Sequence, residues 1–181
     1  LDFSGDAPKH SYRIRAKLIF LTRQSFSVWD FYEYWRSYRY EKRWRNFPLP
    51  TPDKRRHDSS HVSIVVPTVD TEPGFATCLC GFLKNKPREV IIITMEKDVE
   101  RIQKLVNSPS IKATRGEADL KILSIQHANK RDQLVLGINL SSGDLIALVD
   151  DDAYWESDTV LDHLLAPFQH QDIGLVGGPV R

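Results

Sequence analysis

Cysteine and methionine are nearly absent from this chain: 2 Cys and 1 Met in 181 residues. Cys78 and Cys80 stand one residue apart. Two thiols cannot make a disulfide scaffold, and the second pair of a zinc ribbon is missing. Their apolar setting, residues 75–82, makes them core residues. No segment approaches the roughly 20 consecutive apolar residues of a membrane-spanning helix, and no secretory signal pattern is visible. Neither a G-x-G-x-x-G fingerprint nor a Walker A sequence occurs, which argues against a Rossmann dinucleotide site and a P-loop. Internal repeats are lacking too. The chain begins at Leu1 and its sole methionine is Met95, so it reads as a middle piece of a longer protein. What is present suffices for a packed domain: 41% of residues are apolar and 27% charged, unlike a disordered tail.

The formal net charge of +1 conceals a division. Residues 1–57 carry 13 Lys/Arg against 6 Asp/Glu, a net +7, while residues 58–181 carry 12 against 18, a net −6. Of the 18 aromatic residues, 13 lie in the first region. Two regions are expected: a basic aromatic leader with a proline-rich linker over 1–57, and a separate domain over 58–181. Within residues 26–47, 10 of 22 are aromatic, interleaved with Arg and Lys. Trp and Tyr favour the headgroup level of a bilayer, and basic side chains snorkel beside them toward anionic lipid. The leader is therefore expected to be membrane-proximal, flanking transmembrane helices outside this chain. A plain packing arm explains the same composition. Stacking on single-stranded nucleic acid is a third reading with less support, and no nucleic-acid partner is expected. Pro48, Pro50 and Pro52 make the next stretch a stiff, extended linker.

The second region alternates two kinds of segment. Short apolar, β-branched runs at 61–67, 89–94, 120–125 and 144–149 predict strands, and a further strand is expected to begin at 173–176. Helices are predicted from Pro73 to about Lys86, over 96–107 up to Ser108-Pro109, over 131–140 and over 161–168. Continuous apolar strands alternating with helices indicate an α/β fold with a mostly parallel sheet covered on both faces. Ligands of such sheets sit beyond the carboxyl ends of strands. That rule selects residues 68–72 and 150–155.

Asp150-Asp151-Asp152 directly follows the apolar run ending at Val149. Three adjacent carboxylates repel, and each resists burial as an anion. A hard divalent cation, Mg²⁺ or Mn²⁺, relieves this by taking one or two carboxylates together with phosphate oxygens. In an extended segment Asp150 and Asp152 share a side and Asp151 faces away, toward solvent or a basic partner. An acidic loop capping the next helix is the alternative. Lys130-Arg131 opens a helix, where two cations oppose the helix dipole. A diphosphate bound by both cations and helix end would resolve the conflict; solvated charge is the alternative. His127 and Asn129 add polar contacts or shape the turn. Thr68 and Asp70 lie in the other selected loop, where a carboxylate accepts ribose or base N–H and O–H groups or simply caps a turn. Trp155 is either a stacking platform for a sugar ring or a buried anchor.

Four motifs occur in order: Val62-Ser63-Ile64-Val65-Val66-Pro67-Thr68, Asn129-Lys130-Arg131, Asp150-Asp151-Asp152-Ala153-Tyr154-Trp155, and Val176-Gly177-Gly178. From about residue 61 onward the chain resembles the nucleotide-binding half of a family 2 inverting glycosyltransferase with the GT-A fold. More narrowly it is similar to the fungal polysaccharide synthase branch akin to hyaluronan synthases. The resemblance implies a Rossmann-like, truncated GT-A sheet binding a UDP-sugar. Thr68 and Asp70 would meet the uridine end, and Lys130 with Arg131 would hold the nucleotide. Asp150, Asp151 and Asp152 would surround the diphosphate. Asp150 and Asp152 would form the D-x-D pair, with Asp152 the direct ligand of Mg²⁺ or Mn²⁺. The longer parent would be a membrane enzyme, its active domain on the cytoplasmic side, extending a glycan acceptor.

Two features depart from the family pattern. Thr94-Met95-Glu96 replaces an Asp pair and Gly after the second strand, where an aspartate meets the base. The later acidic motif that supplies the general base, the Gln-x-x-Arg-Trp motif and the membrane helices have no counterpart up to Arg181. Two other functions compete with the leading reading. A metal-dependent phosphohydrolase would use Asp150 as nucleophile. A membrane-surface or interaction module would carry its function in the leader, with the α/β region as scaffold.

Overall fold

The computed structural model describes residues 28–44, 49, 51, 55–70 and 74–177. The chain divides into two compact units, Leu1–Asn46 and Phe47–Arg181. In the first, helix α1 (Val28–Trp44) carries the aromatic-rich segment. Residues 1–27, 45–48, 50, 52–54, 71–73 and 178–181 lie outside the described residues, among them Pro48, Pro50, Pro52, Pro73 and Gly178. Within the second unit, Arg55 and Arg56, at the end of the proline-rich stretch, are fastened to residues far along the chain. Arg55 Nη1 lies 2.8 Å from Asp162 Oδ1, and the Arg56 N–H donates to Gln169 Oε1 at 2.6 Å.

The second unit is built on four parallel strands: β1 (Val62–Pro67), β2 (Glu89–Met95), β3 (Asp119–Ile125) and β4 (Leu145–Leu148). Their order is β3-β2-β1-β4. Ser63 pairs with Glu89 and with Ile146, which places β1 in the middle. Five helices accompany them: α2 (Phe75–Lys84), α3 (Val99–Val106), α4 (Pro109–Arg115), α5 (Lys130–Asn139) and α6 (Val160–Leu165). β1 and β2 bury side chains on both faces, which is why they read as unbroken apolar runs rather than alternating ones. On one face Ile64, Val66, Val90 and Ile92 pack with Phe75, Leu79 and Phe82 of α2, Ile102 of α3 and Ile111 of α4. On the other, Val65, Ile91 and Ile93 meet Leu134 and Leu136 of α5. β4 alternates half-buried and exposed positions, since α5 lies over β1 and β2.

A buried polar clasp closes the amino ends of the strands. Glu89 Oε1 accepts from Ser63 Oγ at 2.6 Å, from the Ser142 N–H at 2.6 Å and from Ser142 Oγ at 2.9 Å. Glu89 Oε2 lies 2.5 Å from Lys121 Nζ. The Gly143 N–H donates to Ser63 Oγ at 2.8 Å. One carboxylate thus joins β1, β2, β3 and the turn that launches β4. Gly143 is needed there: a Cβ would stand 2.7 Å from both His61 O and Ser63 N, backbone atoms that cannot yield.

Several elements differ from expectation. Residues 173–176 form no strand: they join no ladder among the described residues, although β4 has a free edge, and Leu175 is 89% exposed. The helix expected over 96–107 begins as a 3₁₀ turn, Glu96–Asp98. Pro109, read as a stop, instead opens α4 at its first position, where proline's missing N–H costs nothing. Pro167 ends α6 early and tightens the chain into a 3₁₀ turn, Ala166–Gln169.

Candidate functional site

The chain steps from β1 to β2 to β3 on one side, then returns to place β4 on the other. Carboxyl-end loops therefore diverge between β1 and β4, and such a switch point leaves a crevice. A cleft of about 410 Å³ lies there. Its walls are Pro67, Thr68 and Val69 at the carboxyl end of β1; Ala128, Asn129, Lys130 and Gln133 at the start of α5; and Asp150, Asp151 and Asp152 after β4. Both loops selected by sequence contribute, and the start of α5 joins them.

The aspartates do not continue the strand. The Ala153 N–H donates to Asp150 O at 3.2 Å, so the three lie in a tight turn and the strand alternation expected for them does not apply. Each has its own surroundings. Asp150 Oδ1 accepts from Lys130 Nζ at 2.6 Å, across the cleft from α5. That hydrogen bond, against a small cost of burial, holds the Lys130 ammonium above its ordinary pKa. Asp151 Oδ2 accepts from the hydroxyl of buried Thr68 at 2.5 Å, joining the two strand-end loops. Asp152 is exposed at the cleft wall. The Cys78 thiol is pushed up by burial and then by the charges of Asp152 and Asp151, so it stays protonated beneath the turn.

Asn129 caps α5: its Oδ1 accepts the Arg131 N–H at 3.0 Å while its Nδ2 donates to Asp132 at 2.8 Å. Gln133, one turn further, was not signalled by any motif. It is 1% exposed, and its Nε2 donates to Thr68 O at 3.0 Å and Ile93 O at 2.9 Å. One amide thereby fixes α5 to the carboxyl ends of β1 and β2 and forms the cleft floor. A glutamine two residues after a basic pair is common on solvated helices, so only the tertiary structure reveals it. Replacing Gln133 by leucine removes two buried bonds and is expected to cost roughly 2 kcal/mol. Calorimetry should show a melting temperature lower by about 5 °C.

Three sequence candidates stand apart from the cleft walls. Asp70 adopts φ 52°, the left-handed region, and pairs with Lys97 at 2.9 Å. That hydrogen bond holds its carboxyl below the usual range. The Arg131 side chain is exposed and does not line the cleft. Trp155 packs edge-to-face on Phe82, centroids 4.9 Å apart, and a Cβ on Gly81 would stand 2.9 Å from its carbonyl. It is a core anchor for the segment after the aspartates, and its ring does not line the cleft.

This arrangement matches known proteins. The sequence profile described as glycosyltransferase like family 2 matches residues 59–181. The chain belongs to the family 2 glycosyltransferases. It is 39% identical over 132 residues to the NDP-glycosyltransferase ltbB of Aspergillus luteorubrus, covering 72% of this chain and 31% of that relative. It is 31% identical over 143 residues to a type 2 glycosyltransferase of Zymoseptoria tritici, covering 76% and 28%. The chain thus spans about a third of the length of these curated relatives. Among solved structures it resembles the mannosyltransferase PcManGT from Pyrobaculum calidifontis in complex with GDP-Man and Mn²⁺. The TM-score is 0.53 at 20% identity, over 75% of this chain and 39% of that one. The sheet is that of the GT-A fold.

Proposed function

We propose that this chain is the donor-binding part of a longer glycosyltransferase that passes a sugar from a UDP-sugar to a glycan, as a polysaccharide synthase does. The observation that carries the reading is the switch-point cleft, where Lys130 and three aspartates converge on a volume suited to a nucleotide. Lys130, now paired with Asp150, would hold a phosphate oxygen if Asp150 served as a metal ligand. Thr68 and Asp151 hold the two loops together at the nucleotide end. Arg131 and Asp70 stand outside the cleft walls, Asp70 paired with Lys97, so neither would meet the ligand without moving.

The donors suit Mg²⁺ or Mn²⁺. Asp150 and Asp152 offer hard oxygen ligands to the cleft. Among the described residues no three acidic, histidine or cysteine side chains form a ready-made cage. A site offering only two carboxylates would take its remaining ligands from phosphate oxygens and water. Bound there, the metal would offset charge on the diphosphate leaving group. Inverting transfer also needs a base for the acceptor hydroxyl, which we assign to a part of the parent beyond residue 181. The parent is read as a membrane enzyme with this domain on the cytoplasmic side. At the base end, Thr94 is fully buried in β2, so this position offers the base no carboxylate.

Titration calorimetry of UDP in the presence of Mn²⁺ tests the reading. Wild type is expected to bind with metal and not without it. Asp152→Ala should weaken binding at least about tenfold, the loss of roughly 1.4 kcal/mol. Equal heats for both proteins would remove the site assignment. Competition by GDP tests the choice of base.

A further inference from the structure

We infer that α1 lies along an anionic bilayer surface, its aromatic and basic arc against the lipid. This inference is independent of the donor-site reading. Each residue advances about 100° around a helix. Asp30, Glu33 and Ser37 fall within roughly 60° of arc. Phe31, Trp35, Tyr38, Arg39 and Lys42 occupy an arc of roughly 100° on the opposite side.

The rings are not tucked away. Phe31 is 66% exposed, Trp35 46% and Tyr38 52%. A contiguous exposed aromatic strip marks an interaction surface. Its chemistry selects the occupant. Arg39 stacks over Trp35, 4.7 Å from the ring centroid, so guanidinium and ring stand at one level. A phosphate-bearing interface meets both at once, the ring at the acyl boundary and the cation among headgroups. A protein groove of ordinary polarity would have to neutralise the cations separately. The whole leader region, residues 1–57, is net +7, complementary to an anionic leaflet. Among the described residues no helix is long and apolar enough to cross a membrane. A helix with an acidic, hydroxyl-bearing back lies in the interface plane instead.

The test uses the full chain with vesicles of phosphatidylcholine, with and without phosphatidylserine. Trp29, Trp35 and Trp44 lie in α1 and only Trp155 in the core, so tryptophan emission reports on the helix. Co-sedimentation with anionic vesicles alone, a blue shift on binding and loss of binding in high salt are expected. Arg39→Glu with Lys42→Glu should lower partitioning at least about thirtyfold, each basic residue supplying roughly fivefold. Trp35→Ala with Tyr38→Ala should lower it and shrink the blue shift. Asp30→Asn with Ser37→Ala, on the opposite side, should leave it within about twofold. Circular dichroism checks helicity, and Arg39→Gln with Lys42→Gln replaces the first pair if reversal melts the helix. No binding, equal binding to neutral vesicles, equal loss from both sides, or stronger binding to a single-stranded oligonucleotide at the same salt would each overturn the inference.

Discussion

Replacing Glu89 by alanine is expected to lower the melting temperature by roughly 6–12 °C, the largest loss from any single polar side chain described. Glu89 is 1% exposed. Burial pushes its carboxyl up, but the Lys121 ammonium, the Ser63 hydroxyl and the Ser142 N–H and hydroxyl outweigh burial and hold it at about 2. Against an ordinary value of 4.5, that difference is worth about 3 kcal/mol to the folded state. Because the folded pKa is depressed, the contribution is complete above about pH 4.5 and is lost as pH falls toward about 2. Glu89→Gln keeps the shape and much of the hydroxyl bonding but removes the charge. Its stability should therefore fall less steeply than wild type's below pH 4.5. Parallel acid titrations of both proteins, followed by circular dichroism, separate the two curves. Superimposable curves would show that the clasp does not carry the acid sensitivity.

The second large effect concerns Gly137. A Cβ built on it stands 2.5 Å from Val65 Cγ1 and 2.8 Å from Ile93 Cδ1. Both methyl-bearing side chains are fully buried on the sheet face that α5 covers, so they cannot swing aside. Gly137→Val is expected to destabilise by about 3 kcal/mol through overpacking. It should act on function as well, since lifting α5 draws Gln133 off Thr68 O and Ile93 O and moves Lys130 from Asp150. Calorimetry should show lower melting and weaker UDP binding together. Binding unchanged in the folded mutant would show that α5 need not rest this close to serve the cleft.

The two effects mark where sequence reading succeeds and where it stops. β1 and β2 are legible because burial on both faces demands unbroken apolar runs, which few other structures require. Thr68 and the three aspartates are legible because each follows such a run immediately. Lys130 is legible as a cation misplaced at a helix start. Gln133 is not, because its two acceptors are 65 and 40 residues away in the chain. The Glu89 clasp is hidden for the same reason: nothing in a glutamate at the head of a strand reveals Ser142, 53 residues on. Trp155 left two readings open because an indole suits a sugar or a core equally, and only the neighbouring Phe82 ring and Gly81 place it. The strand expected at 173–176 shows a further limit. Local propensity predicts extension, but it does not decide whether the segment joins a ladder.

The strand order also fixes when the cleft comes into being. β1 meets β2 across only 26 residues, Ser63 to Glu89, and β2 meets β3 across 30, Glu89 to Asp119. β4 reaches β1 across 83, Val62 to Leu145. Closing the longest loop carries the highest entropic toll and rewards the chain last. A three-stranded intermediate would already own most of the core yet have no crevice, since Asp150, Asp151 and Asp152 arrive only with β4. Refolding followed by nucleotide capture should therefore lag refolding followed by helical signal, so the cleft matures as the final event of the folding trajectory.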